Sequence, residues 1–220
     1  MPKPSPAETP YHHGDLRNAL IAEGRRLLEE VGARELSLRN VVRAVGVSIA
    51  APSRHFEGKE GLLAAIAADG FTELAAQRRR ITASSPDSLA RVYRMLDNYV
   101  RFAQRRKGLF DLMVGPRILA RDAYPQLAAA SSESFDLFAT AVSEYARGCG
   151  WQEKDLNLVV HSAWSTEHGI ATLLIADRVP RADRPIDVAR MVRFSLSLLL
   201  TGIAVGPAAA DRIASALPPR

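Results

Sequence analysis

The residues best suited to chemistry cluster between Glu35 and Glu57. That stretch carries Arg39, Arg43, Arg54 and His55 and contains no acid. Cations without neighbouring carboxylates suit a polyanion, because no adjacent acid neutralises them first. The stretch reads as two short helices joined by Val45-Gly46-Val47-Ser48. Ser37 is placed to cap the first helix, whose buried side is Leu38, Val41, Val42 and Val45. Gly46 permits a tight reversal. Ser48 is placed to cap the second helix, which runs to about His55, and to leave its first amides open to phosphate. Arg39 and Arg43 could then lie across a nucleic-acid backbone while the second helix enters a major groove.

Other reactive side chains are weaker pointers. His161, Ser165 and His168 share a helical face, with Glu167 adjacent, but two good ligands fall short of a metal site. Trp164 and His168 are i, i+4 neighbours, and packing and ligand contact both remain open for them. Tyr93, Phe102, Phe110, Met113 and Trp164 could line an apolar pocket or fill an ordinary bundle core. Cys149, the single cysteine, lies between two glycines and reads as a small residue at a helix end. It excludes an internal disulfide framework and a cysteine metal cage. Arg78-Arg79-Arg80 and Arg105-Arg106-Lys107 read as solvated cations at helix ends, and Glu29-Glu30 as exposed surface. The chain lacks Gly-x-Ser-x-Gly, a phosphate-cradling glycine loop and His-Glu-x-x-His, so neither an enzyme nor a cofactor is expected.

These groups need a scaffold, and 220 residues with 47% hydrophobic and 24% charged content can bury a core. Net charge is +5, too mild to identify a nucleic-acid partner without the local distribution. No apolar run reaches membrane-spanning length, and the N-terminus has no apolar segment of the secretory kind, so a cytoplasmic protein is expected. Prolines 2, 4, 6 and 10 make residues 1–13 a flexible arm, in which Tyr11-His12-His13 is either a phosphate or minor-groove contact or plain solvated chain.

From Asp15, read as a cap, the pattern is helical throughout. Leu16, Leu20, Leu27 and Val31 form the first face, and Gly32 stops the helix. Longer helices are expected over 59–83, 87–107, 124–147, 154–177 and 186–204. No period-two alternation suggests a strand, so the fold class is all-α. The expected division is residues 14–74 as a small helical module and 75–220 as a larger helical bundle.

Residues 11–74 resemble the DNA-binding domain of the TetR/AcrR family. The resemblance is carried by the run from Leu36 to Phe71, with Val45-Gly46-Val47-Ser48, His55-Phe56, Lys59 and the pair Leu62-Leu63 at fixed spacing. Trp164 with His168-Gly169 resembles the WHG-type regulatory domain of that family. The resemblance implies a homodimeric transcription factor, usually a repressor, that binds a palindromic double-stranded operator and answers to a small-molecule effector. By the same likeness Ser37 and Arg39 would touch phosphate, Ser48, Ile49, Ala50 and Ala51 would open the recognition helix, Ser53, Arg54 and His55 would form its exposed face, and Lys59 would neutralise a phosphate. The effector would lie against Tyr93, Phe102, Phe110, Met113, His161, Trp164 and His168. Dimerisation is expected through the last two long helices, by a stripe of Leu196, Leu199, Leu200 and Ile203.

The chain departs from the family pattern at Ser53, where a tyrosine is usual, and Ile49, Ala50 and Ala51 offer only apolar contacts such as thymine methyls. Arg54 is left as the best base reader, with guanine its natural target. Pro52 falls in the first turn, where its missing N–H costs at most one helical bond. The competing reading is a dimeric small-molecule-binding protein whose DNA-reading face has degenerated.

Overall fold

A computed structural model describes residues 13–115, 121–179 and 186–218. Side-chain surroundings are described for these residues apart from 13–15 and 121, so Tyr11, His12 and the proline-rich arm lie outside. Among the described residues the fold is all-α, as expected. The helices are α1 (His13–Glu35), α2 (Leu38–Val45), α3 (Gly58–Ser84), α4 (Ser88–Arg105), α5 (Lys107–Val114), α6 (Pro125–Gly148), α7 (Glu153–Ile175), α8 (Val188–Ala204) and α9 (Pro207–Ala216). No single described helix is long and apolar enough to cross a membrane.

Local chemistry sets most boundaries. Gly32 adopts φ 74° and ψ 167°, which kinks α1 where the sequence placed its stop. Asp15 lies inside α1, because the helical backbone already begins at His13, so it is not the cap. The buried face of α1 is Leu16, Leu20 and Leu28. The expected Leu27 is only half-buried, and Val31 is 48% exposed, since the face follows the i, i+4 row that passes Gly24. Asp87 and Asp187 cap α4 and α8 by accepting the backbone N–H of Ala90 (2.6 Å) and Arg190 (3.1 Å). Pro125 and Pro207 sit in first turns, where the missing amide costs nothing.

Two helices escaped sequence reading. α9 lies beyond the last helix that the sequence pattern predicts. α5 was hidden because Arg105-Arg106-Lys107-Gly108 reads as a helix end. Arg106 does break α4, at φ −132° and ψ 56°, but a new helix starts at once. Its first amides, those of Gly108 and Leu109, donate to the Glu29 carboxylate of α1 at 2.9 and 3.1 Å. Glu29 is therefore a cap supplied from another helix, not idle surface.

The helices enclose two apolar clusters. The first gathers Leu16, Leu20 and Leu28 of α1, Val41 and Val42 of α2, Leu62 to Leu74 of α3, and Phe102, Phe110 and Met113. The second joins Ile81, Val92, Met95 and Leu96 to Phe138, Val142, Val160, Leu196 and Leu200. α3 contributes to both, packing along α6 and against α1 and α5. The first cluster thus reaches past residue 74, and α3 crosses that expected boundary without a break.

The expected seam on α8 is corrected. Leu196, Leu200 and Ile203 are buried in the chain's own core at 0%, 5% and 4% exposure, and Leu199 packs against it. The outward apolar residues are Phe194, Leu198 and Val205 on α8 and its end, and Leu158 and Leu173 on α7. A wide apolar helix has two faces, and the monomer core takes the one that the leucine count favoured.

Gly108 lets α5 approach the backbone of α1 closely. A methyl group there would lie 2.5 Å from the Leu28 carbonyl oxygen. Gly108→Ala should lower the unfolding free energy by about 1–3 kcal/mol. Urea unfolding followed by circular dichroism would check it.

Candidate functional site

The first candidate surface surrounds α2. Val41 and Val42 bury its inner side, and the helix closes in the left-handed geometry that glycine favours, with Gly46 at φ 79° and ψ 26°. Gly46 N–H donates to the Arg43 carbonyl (3.1 Å) and Val47 N–H to that of Val42 (3.3 Å). This paired closure fixes the exit angle of the chain. Ser37 holds the N-cap position of α2, but its hydroxyl makes no capping bond.

The second element is not the expected helix capped by Ser48. Residues Ala51–Arg54 form one 3₁₀ turn with Ala50 as its N-cap. The cause is Pro52. In an α-helix its amide would bond the Ser48 carbonyl, but proline has none. That carbonyl instead accepts from Ala51 N–H at 3.0 Å, which tightens the turn. The ring of Pro52 is buried, and Phe56 behind it is 6% exposed beneath the Arg17 guanidinium.

The turn presents Ser48, Ile49, Ala50, Ser53 and Arg54 to solvent, with Ile49 73% exposed and His55 half-buried. Ser53 Oγ donates to the Ala50 carbonyl at 2.7 Å. Arg39 and Arg43 are exposed on α2, and among the described residues no carboxylate pairs with either or with Arg54. Lys59 is different. Its Nζ donates to the Arg34 carbonyl at 2.8 Å and ties the start of α3 to the end of α1.

The second candidate lies between α3, α4, α5, α6 and α7. Tyr99, Phe110, Trp164 and His168 meet there. His168 Nδ1 is 3.1 Å from the Tyr99 hydroxyl, and its ring stacks on Trp164 (5.3 Å) and Phe110 (6.0 Å). Burial holds the His168 pKa below its usual value. Beside this group is a cavity of about 310 Å³ with Trp164 and His161 in its wall. Tyr93 is not part of it. It lines a separate groove with Leu89, Tyr145 and Leu200. Phe102 and Met113 are buried in the first core, with Met113 against Gly70.

Sequence reading missed the charged centre of this site. Arg78, taken as solvated, is 3% exposed, and Glu167 is fully buried. Arg78 Nη1 donates to the Ser134 carbonyl (2.5 Å) and hydroxyl (3.1 Å), and Nη2 lies 3.3 Å from Glu167 Oε1. The guanidinium also sits 5.1 Å over the ring of Phe138 and 5.7 Å over that of Tyr99. A signal was available. Leu74, Arg78 and Ile81 share the buried row of α3, as Val160, Ala163, Glu167 and Ala171 do on α7. Desolvation pushes Glu167 up to about 8 against the opposing pull of Arg78. Burial likewise lowers Arg78. Glu167 and His168 engage different partners, and among the described residues no three His, Cys, Asp or Glu side chains gather in one place.

Comparison with known proteins agrees with this geometry. Residues 20–66 match the family model for bacterial regulatory proteins of the tetR family, and residues 92–199 match that for the tetracyclin repressor-like C-terminal domain. No curated protein matches the chain. A solved structure of a protein with unknown function from Rhodococcus sp. RHA1 is 34% identical, with a TM-score of 0.75 over 90% of this chain and 100% of that one. The TetR family transcriptional regulator PfmR from Thermus thermophilus shares the fold at 20% identity and a TM-score of 0.60, over 83% of this chain and 97% of that one. So does FadR from Bacillus subtilis, solved with stearoyl-CoA, at 12% identity and 0.67, over 84% and 98%.

The buried pair makes a pH prediction. A carboxyl whose folded pKa is raised from 4.5 to about 8 keeps its proton longer when folded, so stability is lost as pH rises through that interval. His168 works oppositely, but only below its unfolded value of 6.5. From about pH 6.5 to about pH 8 the melting temperature should fall, and Glu167→Gln should flatten that slope. Thermal melts of both proteins across the range would decide it.

Proposed function

We propose that this chain, which belongs to the TetR/AcrR family of bacterial transcriptional regulators, is a dimeric cytoplasmic repressor that binds a palindromic operator and leaves it when a small molecule occupies its C-terminal half. The reading is of a binding protein, not an enzyme. One observation carries it: the turn after Gly46 exposes Ile49, Ser53 and Arg54, α2 before it exposes Arg39 and Arg43, and among the described residues no acid is paired to any of these arginines.

In this reading the 3₁₀ turn enters the major groove. Arg54 reads guanine, because a guanidinium can bond both acceptors on that base edge. Ile49 and Ala50 offer only apolar contact, suited to thymine methyls. Ser37, Arg39, Arg43, Ser48 and Ser53 are the phosphate-facing group, and His55 supports the turn from its half-buried position. Lys59 serves to hold α1 against α3 through the Arg34 carbonyl. With so few polar reading atoms, sequence-dependent DNA shape carries a large share of the preference.

The dimer seam in this reading is formed by Leu158, Leu173, Phe194, Leu198 and Val205 on the outer faces of α7 and α8. Exposed apolar patches of this kind mark association surfaces. Two reading turns must match successive major-groove faces, roughly 34–36 Å apart or a multiple. A ligand that favours another spacing weakens operator binding by its differential affinity for the two arrangements.

The first experiment is selection of genomic fragments by purified protein, with competitor DNA at near-physiological salt. Enrichment of a short palindrome is the expected result. A folded dimer that enriches nothing would favour the degenerate-reader alternative. On the enriched site, Arg54→Ala should relax preference at particular base pairs by roughly 1–3 kcal/mol. Arg43→Ala should weaken all sequences alike and reduce the salt slope by about 1. Equal, sequence-blind losses from both would overturn the assignment of Arg54. Phe194→Glu with Leu198→Glu should yield monomers by light scattering.

A further inference from the structure

The cavity between α3, α6 and α7 has an uneven chemical lining. Phe71, Leu74, Phe135 and Trp164 supply apolar and aromatic walls. Among the described residues its ionisable nitrogen groups are those of Arg78 and His161, and no carboxylate lines it. Arg78 is 3% exposed, yet its Nε is buried with no hydrogen-bond partner. A buried guanidinium N–H without an acceptor is costly, which makes an incoming acceptor valuable. Glu167 does not remove the need. Its Oε1 is 3.3 Å from Nη2, while its Oε2 is likewise buried and unpartnered. His161 is exposed and also lines the cavity, so it stands where the space meets solvent.

We propose that this cavity is a binding site for a small organic carboxylate, whose acid group pairs with the Arg78 guanidinium in the cavity wall and whose ring-sized apolar body lies between Phe135 and Trp164. The volume of about 310 Å³ sets the size, at the small end of known ligand sites. The Ser134 hydroxyl, already 3.1 Å from Arg78 Nη1, is a second donor near the acid group. The apolar walls exclude water and strengthen the charged hydrogen bond.

The inference deepens the regulator reading by naming the ligand class of its C-terminal half. Its test reads ligand binding without DNA, so failure here leaves operator selection standing, and failure there leaves this site standing. Purified full-length protein is titrated calorimetrically, near neutral pH, with phenylacetate, benzoate and hexanoate, and with the primary amide of each. At least one acid should bind about tenfold or more tightly than its amide, the scale of one charge-assisted hydrogen bond. Arg78→Gln should abolish that preference while the helical circular dichroism spectrum is kept. If Arg78→Gln does not fold, the comparison of acid with amide on the wild-type protein decides alone. Failure of all three acids to bind, equal binding of acids and amides, or a preference that survives in folded Arg78→Gln would each overturn the proposal.

Discussion

Helix α3 must satisfy two sets of neighbours along one unbroken backbone. From Gly58 to Ser84 it spans 27 residues, about 40 Å at 1.5 Å per residue. Leu62, Leu63, Ile66, Phe71 and Leu74 bind it into the first core, and Ile81 binds it into the second. Each fully buried side chain of this size contributes about 1.5–3 kcal/mol. With both ends anchored by packing, the helix cannot bend cheaply, and displacement at one end is carried along the axis. The turn at Ala51–Arg54 precedes one end, and Arg78 lies near the other.

Arg78 sits between the two cores, where an apolar residue would pack at no electrostatic cost. A buried ion pair rarely contributes net stability over apolar replacements, because removing both charges from water is expensive. Here the cost is only partly offset. Ser134 takes one nitrogen and two aromatic rings flank the guanidinium, but Arg78 Nε and Glu167 Oε2 are left unpaired. Stability alone gives no reason for such an arrangement. A binding role does, since the unmet hydrogen bonds become affinity when a ligand supplies the partner.

The sequence made some elements legible and hid others for definite reasons. Gly32 and Gly46 were readable as stops because left-handed φ leaves few alternatives to glycine. The long helix expected over 59–83 was readable because hydrophobic spacing is unambiguous over that length, and its Leu62, Leu63, Ile66 and Phe71 are buried. The 3₁₀ turn was hidden because Pro52 fits an N-terminal first turn sterically, while its missing amide changes which carbonyl pairs with which. α5 was hidden because its cap comes from Glu29, far away in sequence. Arg78 and Glu167 were hidden because charge was weighed before position, although each lies on a buried helical row. The leucines of α8 were visible as apolar, but composition cannot tell which face meets the chain's own core. Of the aromatic groups proposed for ligand contact, Phe110, Trp164 and His168 converge, and Tyr93 does not, because α4 carries it to another face.

Two physical paths join the cavity to the proposed DNA-reading surface, and they differ in kind. The first is α3 itself, a rigid rod. The second runs through α5. Val114 of α5 lines the cavity and Phe110 stacks on His168, while the opposite end of α5 is held by Glu29 and by the close approach of Gly108 to Leu28. That second path ends on α1, which packs against α2 and α3. A ligand seated on Arg78 would touch both paths at once. Coupling requires that the two arrangements of these helices bind it with unequal affinity, and the same inequality then acts on DNA. The close contact at Gly108 suits this role. A contact this close would pass strain generated at the cavity on to α1 rather than absorb it.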